Sequence, residues 1–474
     1  MKKAAFHNLG CKVNSYELDI MRQILLEEGY EEVPFHEQAD VYVINTCTVT
    51  NIADRKSRQM LHRAKKQNRE AVVIAAGCYA ETDPERVEKD EAIDLVIGNN
   101  RKSEIGTILR EYLENREKLR NQEKNPGQEQ HFIEQFRQDL TCSPVYEDMQ
   151  LEAPGHTRAF IKIQDGCNQF CSYCIIPYAR GRIRSRDKGE ILRETERLAA
   201  GGIREIVLTG IHVSSYGLDR ESGAGTRFDP GKSGAALLDL LQDLSAVEGL
   251  ERIRLSSLEP RIMTESFISA LASMNKVCPH FHLSLQSGCD ETLRRMNRHY
   301  TTEEYMRSVR LLRQDYDRPA LTTDVIVGFP GETEEEFETT CAFLENISFY
   351  EIHVFRYSRR NGTVAAKRKD QIPEPVKAVR SDRLLGMTAA QAAAYRGQFA
   401  GENDTLLLEE ICEHKGVRYW TGNTSRYVTG AFPVSSSDGT DALRPGDLVP
   451  GVFGTREIPF SRGAAVTFIP EITK

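Results

Sequence analysis

Short apolar runs alternate with polar, amphipathic stretches over residues 1–113. AAFH (4–7), VYVIN (41–45), AVVIAA (71–76) and IDLVIG (93–98) have the continuity of strands buried on both faces. Residues 15–28, 51–68 and 84–90 between them, and 101–113 after the last, read as helices. This βαβα order predicts a parallel sheet with helices on its faces. Residues 114–152 are polar and charged, with one NPG turn, and read as a linker with some helix.

The alternation resumes over 153–390. RAFIKI (158–163), REIVLTG (204–210), RIRLSS (252–257), HFHLSLQ (280–286), TTDVIVGF (322–329) and EIHVFRY (351–357) read as strands. Helical patterns at 189–200, 235–247, 302–314 and 333–345 intervene. Six strands, each followed by a helix, predict a partial or full α/β barrel. Over 400–470 the pattern changes to short strands separated by Gly, Ser and Asp clusters, which predicts a small all-β barrel. The fold class is therefore α/β with three domains.

Composition narrows the class only slightly. At 474 residues the chain has room for such an arrangement. No stretch offers the ~18 uninterrupted apolar residues of a membrane helix. The start, MKKAAFHNLGCKVN, turns polar too early for a signal peptide, so a soluble cytoplasmic protein is expected. A net charge of −8 gives no global attraction to nucleic acid, and any such binding must use local basic patches. Eleven cysteines, an odd number, argue against a disulfide framework and fit a reducing compartment.

Chemistry enters with CNQFCSYC. Cys167, Cys171 and Cys174 follow the first barrel strand, at the mouth where barrel active sites lie. Three thiolates at CxxxCxxC spacing hold three irons of a [4Fe–4S] cube and leave the fourth open to a substrate or cofactor. Zinc would want a fourth Cys or His, and the loop has none up to Arg186. A second set is dispersed. Cys11, Cys47 and Cys78 each stand just past an expected strand of the N-terminal sheet, the edge at which open α/β sheets bind ligands. They read either as a converging metal site or as three small buried residues. Gly10 and Gly77, preceding two of them, ease close backbone approach. Cys142, Cys278, Cys289, Cys341 and Cys412 lack paired spacing and read as structural, with Cys142 the most exposed.

The loop CNQFCSYCIIPYARGRIRSR resembles that of the radical S-adenosylmethionine (SAM) enzymes, in their methylthiotransferase branch, and LGCKVNSYE, NTCTVT and GCYAE are similar to segments of the same branch. The resemblance implies that the open iron chelates SAM, whose sulfonium is split by one electron to give a 5′-deoxyadenosyl radical. It further implies a second [4Fe–4S] cluster on Cys11, Cys47 and Cys78 that presents the sulfur, an electron donor, and no catalytic residue beyond the cluster ligands. LGCKVNSYE is most similar to the type that places a methylthio group at C2 of N6-threonylcarbamoyladenosine, beside the anticodon of tRNA. Isopentenyladenosine in tRNA and an aspartate of a ribosomal protein are the substrates of neighbouring branches. A different reading is an RNA-binding protein whose clusters are structural.

SAM offers a carboxylate, an amine, ribose hydroxyls and an adenine, and polar residues at the barrel strand ends are candidate partners. They are Tyr173, Thr209, Gly210, Glu259, Ser284, Gln286, Ser287, Asp324 and Gly328, the last opening the GFPGE turn that ends at Glu332. Three basic runs follow. One spans Arg55 to Arg69, with seven Lys/Arg and no acid. A second comprises Arg180, Arg182, Arg184, Arg186 and Lys188, and a third Arg356, Arg359, Arg360, Lys367, Arg368 and Lys369. The latter two flank the barrel mouth, where Arg180, Arg182, Arg184, Arg356, Arg359 and Arg360 are expected to meet an RNA backbone, with Tyr178 and Tyr357 stacking on a base. The C-terminal barrel resembles the TRAM domain, an RNA-binding module. It departs from it in charge, with ten Asp/Glu against seven Lys/Arg over 401–474. Arg418, Tyr419, Trp420, Arg426 and Tyr427 form a local RNA face, or the domain only closes the active site or packs the core.

Overall fold

The computed structural model describes residues 2–122, 133–140, 145–223, 226, 228–229, 233–436, 439–461 and 463–471. The N-terminal part is a six-stranded parallel sheet in the order β2-β1-β3-β4-β5-β6, from β1 (Lys3–Asn8), β2 (Glu31–Glu32), β3 (Val41–Thr46), β4 (Val72–Gly77), β5 (Leu95–Ile97) and β6 (Glu134–Phe136). All residues of β3 and β4 are buried, because apolar clusters cover both faces. Val41, Val43, Val72 and Ile74 pack with helix α1 (Lys12–Glu27), whereas Tyr42, Ile44, Val73 and Ala75 pack with α2 (Asn51–Gln67). The period of two sorts the residues between faces.

The span 114–152 departs from a linker. The helix Ile105–Gln122 runs well past 113, and β6 adds a strand to the sheet. Met149 and Leu151 pack on Tyr16 and Ile20 of α1. Sparse apolar residues hid this, because an edge strand and a docked loop need only one apolar face. Cys142 lies outside the described residues.

Six parallel strands form an open, partial barrel: β7 (Ala159–Asp165), β9 (Glu205–Gly210), β10 (Arg252–Leu255), β11 (His280–His282), β12 (Ala320–Val327) and β13 (Glu351–Arg356), with a short antiparallel β8 (Arg184–Ser185) beside β7. Bridges at Leu258–Leu283 and Gln286–Val325 carry the sheet across β10, β11 and β12. Ile161, Ile163, Leu208, Leu255, Leu283 and Val325 point outward into one large core beneath the helices. Capping boxes at Thr301–Glu304 and Thr333–Glu336 fix two of those helices, the second at the expected start after Glu332. The opposite face of β7 meets α1: Phe160 packs beside Tyr16 and Ile20, and Lys162 pairs with Glu17. The N-terminal sheet thus plugs its first helix into the concave side of the barrel.

The chain ends in a closed five-stranded barrel of order β14-β15-β16-β18-β17, from β14 (Asn403–His414), β15 (Val417–Asn423), β16 (Thr429–Pro433), β17 (Leu448–Phe460) and β18 (Gly463–Pro470). It seals the amino-terminal end of the α/β barrel. Arg252 donates to the carbonyls of Asn423 and Thr405, and Arg254 to those of Thr424 and Ser425. Tyr427 lies stacked on His280, with ring centroids 4.9 Å apart, and beneath the Arg254 guanidinium at 4.7 Å. Trp420 is buried in the small barrel's core, and Arg426 pairs with Asp317 and Asp404. Trp420, Arg426 and Tyr427 are therefore corrected from an RNA face to packing and docking residues. Arg418 stays exposed and Tyr419 half-buried.

Candidate functional site

The three N-terminal cysteines converge because β1, β3 and β4 are neighbours in the sheet and each turns off at its carboxyl end. Cys11 precedes α1, Cys47 follows β3, and Cys78 opens the short helix α3 (Cys78–Thr82). The approach is close: a Cβ on Gly10 would lie 3.1 Å from Cys47 Cβ. Gly77, at φ +90°, would drive a Cβ to 2.6 Å from the Thr46 carbonyl. Burial pushes the Cys47 thiol up to about 12, and the charges of Cys78 and Cys11 push the same way. Cys11 itself is open to solvent, yet the protein mass around it also raises its thiol, with Cys78 adding to the shift.

Cys167, Cys171 and Cys174 occupy the loop after β7, all half-buried. The loop is pinned by Cys167 N to Gly181 O (3.0 Å), Ser172 N to Met296 O (2.9 Å) and Ser172 Oγ to Arg295 O (2.8 Å). Burial raises the Cys167 thiol, with Cys171 and Cys174 reinforcing the effect. Cys174 is pushed up to about 12 by burial first, then by Cys171, and also by Cys78. That last influence joins the two sets: Cys78 of the sheet and Cys174 of the barrel are electrostatic neighbours.

Two arginines donate to sulfur, one in each set. Arg298 Nη1 reaches Cys171 Sγ at 3.2 Å, and Arg180 Nε reaches Cys78 Sγ at 3.3 Å. Arg180 is fully buried and also binds Glu17 (2.8 Å) and Asp165 (3.1 Å). Lys102 and Lys162 share Glu17, Lys162 also binds Asp165 at 2.7 Å, and Arg184 lies 3.5 Å from Asp165. Four cationic side chains thus contact two buried carboxylates. Glu147, also buried, lies in the field of Lys162 and Lys102, and the network presents the Arg180 Nε–H to the Cys78 sulfur. Both sets fit thiolate ligands of a metal cluster, the chemistry of sulfur donors held by N–H groups.

A cavity of about 210 Å³ borders Cys174. Val49 and Thr50, just past Cys47, form one wall; Tyr173, Cys174, Gln286, Asp324, Phe355 and Tyr357 are among those forming the other. Of the expected SAM contacts, Tyr173, Gln286 and Asp324 line this cavity. Thr209 is buried and Gly210 packs on Gln164 at the end of β9; Ser284 is half-buried on the barrel's inner side.

Three expectations are corrected. Ser287 is fully buried and bonds Thr340 of the helix Glu334–Ile347, away from the cavity. Gly328, at φ +71°, makes room for Lys377, whose Cγ would lie 2.3 Å from a Cβ, rather than for a ligand. Glu259 has both oxygens engaged, by Arg261 (2.9 Å), His212 (3.3 Å) and Arg298 (3.5 Å). Burial alone would push its carboxyl up, but Arg298, His212 and Arg261 hold it at about 2. It supports Arg298, and through it Cys171.

The basic rim is also redrawn. Arg180 and Arg184 are fully buried and cannot reach a phosphate; Arg186 is buried against Glu194. Arg360 is 7% exposed and ties Thr48, Asn51 and Asp54 to the barrel. Lys188 pairs with Asp239 and Asp243. Tyr357 is buried against Phe329. Arg182, Arg356, Arg359, Lys367 and Lys369 remain exposed, as does Tyr178. Arg182 lies 4.8 Å over the Phe170 ring, which meets Tyr178 edge-on at 6.0 Å, a cation–aromatic platform beside the cysteine loop. Sequence reasoning missed Arg298, Glu17, Lys102 and Lys162. Glu17 closes the segment LGCKVNSYE that carries the family resemblance; no motif marks the other three, and only their charge in otherwise apolar or helical settings hinted at a role.

Comparison with known proteins adds identity to this geometry. Residues 161–344 match the family described as the radical SAM superfamily, and residues 3–98 match one described as uncharacterized protein family UPF0004. The threonylcarbamoyladenosine tRNA methylthiotransferase MtaB of Bacillus subtilis is 40% identical, over 91% of this chain and 90% of that protein. The MtaB of Aquifex aeolicus is 42% identical, over 86% and 93%. The tRNA-2-methylthio-N(6)-dimethylallyladenosine synthase of Oceanobacillus iheyensis is 33% identical, over 86% and 75%. Among solved structures, the radical S-adenosylmethionine methyltransferase TsrM of Kitasatospora setae aligns over 77% of each chain with a TM-score of 0.52 at 18% identity, a likeness of fold.

Proposed function

Because the chain belongs to the radical SAM methylthiotransferase family, we propose that it is the enzyme that converts N6-threonylcarbamoyladenosine in the anticodon loop of tRNA to its 2-methylthio derivative. The observation that carries this reading is the 40% and 42% identity, over most of the chain, to two relatives named for that substrate; further relatives named for it, and those named for dimethylallyladenosine, stand at 33% to 34%. We further propose that Cys167, Cys171 and Cys174 hold one [4Fe–4S] cluster and Cys11, Cys47 and Cys78 a second. When bound, SAM on the first cluster supplies one-electron cleavage of its sulfonium, and the second cluster supplies the sulfur.

The chain's own residues do the rest. Arg298 and Arg180 donate N–H groups to the sulfurs of Cys171 and Cys78 and so orient them. Glu259 keeps Arg298 in place, while Glu17 and Asp165 keep Arg180 in place. The cavity beside Cys174 accepts the reacting base, and Tyr173, Gln286 and Asp324 are its candidate SAM contacts. Thr209, Gly210 and Ser284 remain candidates at the strand ends.

RNA approaches across the exposed Arg182, Arg356 and Arg359. Arg58 and Lys66 of α2, with Arg69 just after it, offer further basic groups for the RNA backbone. An unstacked anticodon-loop base suits such an entrance, with phosphate contacts positioning the RNA. Among the described residues no helix is long and apolar enough to cross a membrane, in keeping with a cytoplasmic tRNA enzyme. The test is reconstitution. Purified chain with roughly eight irons should convert a threonylcarbamoyl-bearing anticodon stem-loop under reducing conditions with SAM. A chain that binds only zinc, or cleaves no SAM, overturns the reading.

A further inference from the structure

Exposed apolar side chains concentrate at the mouth of the cavity beside Cys174. Val49, Ile52, Tyr178, Phe355 and Val364 are five of the twelve large apolar side chains exposed among the described residues. Val49 and Phe355 line the cavity itself. Ile52 follows Asn51, whose backbone N–H donates to Ser358 Oγ at 2.9 Å. Val364 precedes Ala365, whose N–H donates to the Ser172 carbonyl at 2.8 Å. Tyr178 donates its backbone N–H to the carbonyl of cavity-lining Ile175 at 3.0 Å. Apolar groups gathered at one mouth mark an interaction site, unlike scattered exposed ones.

Tyr178 is not a lone ring. It meets Phe170 at an interplanar angle of 82°, with centroids 6.0 Å apart, and the Arg182 guanidinium carbon lies 4.8 Å from the centre of the Phe170 ring. Both neighbours are held in place. Phe170 sits at φ +47°, a left-handed backbone that bulky residues avoid. Asn297 Nδ2 fixes that turn by donating to the Phe170 carbonyl at 3.0 Å. The buried Arg184 donates to the carbonyls of Arg180 (2.8 Å) and Arg182 (3.1 Å), which steadies the turn that sends Arg182 outward. The result is three flat groups in fixed orientation, of which Tyr178 and Arg182 are open to solvent.

We propose that Tyr178 and Arg182, braced by Phe170, stack the nucleobase next to the modified adenosine in the anticodon loop. The inference rests on the tRNA reading above and deepens it. Tyr178 does not line the cavity, but it stands two residues beyond Ile176, which does. A base that enters the cavity leaves its neighbour in the RNA chain at the mouth, without its former stacking partner. Aromatic faces and guanidinium planes are the groups that proteins offer to such bases. A polypeptide loop would suit the apolar groups alone. The exposed Arg182, Arg356 and Arg359 beside them favour the phosphates of RNA.

The test is binding of the cluster-loaded enzyme, without reductant, to anticodon stem-loops that carry threonylcarbamoyladenosine. One is intact, one lacks the base on the 5′ side of that residue, and one lacks the base on its 3′ side. A fully paired stem closed by an ethylene glycol linker is the control. Wild type is expected to lose about tenfold in affinity when one of the two bases is removed, within the range of base–aromatic stacking. Tyr178→Ala is expected to bind the intact stem-loop about tenfold more weakly and to ignore removal of that base. Tyr178→Phe should keep the wild-type values. Tyr178→Leu, apolar but without a π face, should lose the discrimination as Tyr178→Ala does. A merely structural role of Tyr178 would not produce this coupling between side chain and base.

Wild type that is indifferent to removal of either base overturns the stacking shelf and leaves the tRNA reading standing. So does a Tyr178→Ala variant with full iron that still loses about tenfold on removal of the same base. Wild type that binds the paired control as tightly as the intact stem-loop overturns the tRNA reading and the shelf together.

Discussion

Arg180 Nε donates to Cys78 Sγ at 3.3 Å while its other nitrogens hold Glu17 and Asp165, so one buried guanidinium ties the N-terminal sheet to the barrel. Replacing it with Gln removes the guanidinium that Glu17 and Asp165 share and its N–H to the Cys78 sulfur. Breaking a buried pair typically costs about 3–5 kcal/mol. Urea unfolding of Arg180→Gln should show a loss of that order, and bound iron should fall by roughly half as the Cys78 site fails. Unchanged iron and an unchanged midpoint would separate Arg180 from that site.

The Glu259 carboxyl gives a pH signature. It sits at about 2 in the folded chain, whereas an unfolded glutamate titrates near about 4.3. Its folded pKa is depressed, so its contribution is complete above the unfolded value and is lost as pH falls toward 2. The linkage amounts to about 3 kcal/mol. Glu259→Gln should therefore flatten the acid limb of stability between about pH 4.5 and 2. An identical acid limb in wild type and variant would contradict the pairing with Arg298, His212 and Arg261.

The rim arginines divide by burial. Arg182→Glu and Arg359→Glu should weaken tRNA binding for all sequences and each lower the salt slope by about one. Arg184→Ala should instead lower stability, because its guanidinium lies buried beside Asp165 and the Arg180 carbonyl. A folded, stable Arg184→Ala with weakened RNA binding would reverse that division.

Tyr427→Ala removes the ring that closes the amino-terminal end of the α/β barrel. Large-to-small changes at packed aromatics cost about 3–5 kcal/mol, so thermal unfolding should shift down and the C-terminal barrel should become protease-sensitive before the rest. Wild-type resistance would mean that Arg252 and Arg254 suffice to dock it.

Much of this was legible in the sequence. Continuous apolar runs marked β3 and β4, since strands covered on both faces need no polar positions. The cysteine spacing at 167–174 and the strand-end positions of Cys11, Cys47 and Cys78 placed both sets. Short elements were lost: β6 has three half-buried residues, and β2 only two exposed glutamates. The arginine run at 180–186 misled because alternating Arg at a loop end looks like a solvated face. Only the buried Glu17 and Asp165, 163 and 15 residues away from Arg180, turn it inward. Partners so distant along the chain leave no local pattern. His282 and His353 were similarly silent, being single residues on strands that come together only in the β11-β12-β13 sheet.

The most direct test of the central claim, that two cysteine sets together insert sulfur into a tRNA base, is the nucleoside content of tRNA from cells lacking this protein. Mass spectrometry should show loss of 2-methylthio-threonylcarbamoyladenosine with a matching rise of threonylcarbamoyladenosine. The wild-type gene should restore it, and neither Cys78→Ala nor Cys171→Ala should. Unchanged methylthio levels in the deletion, or rescue by Cys78→Ala, would contradict the account.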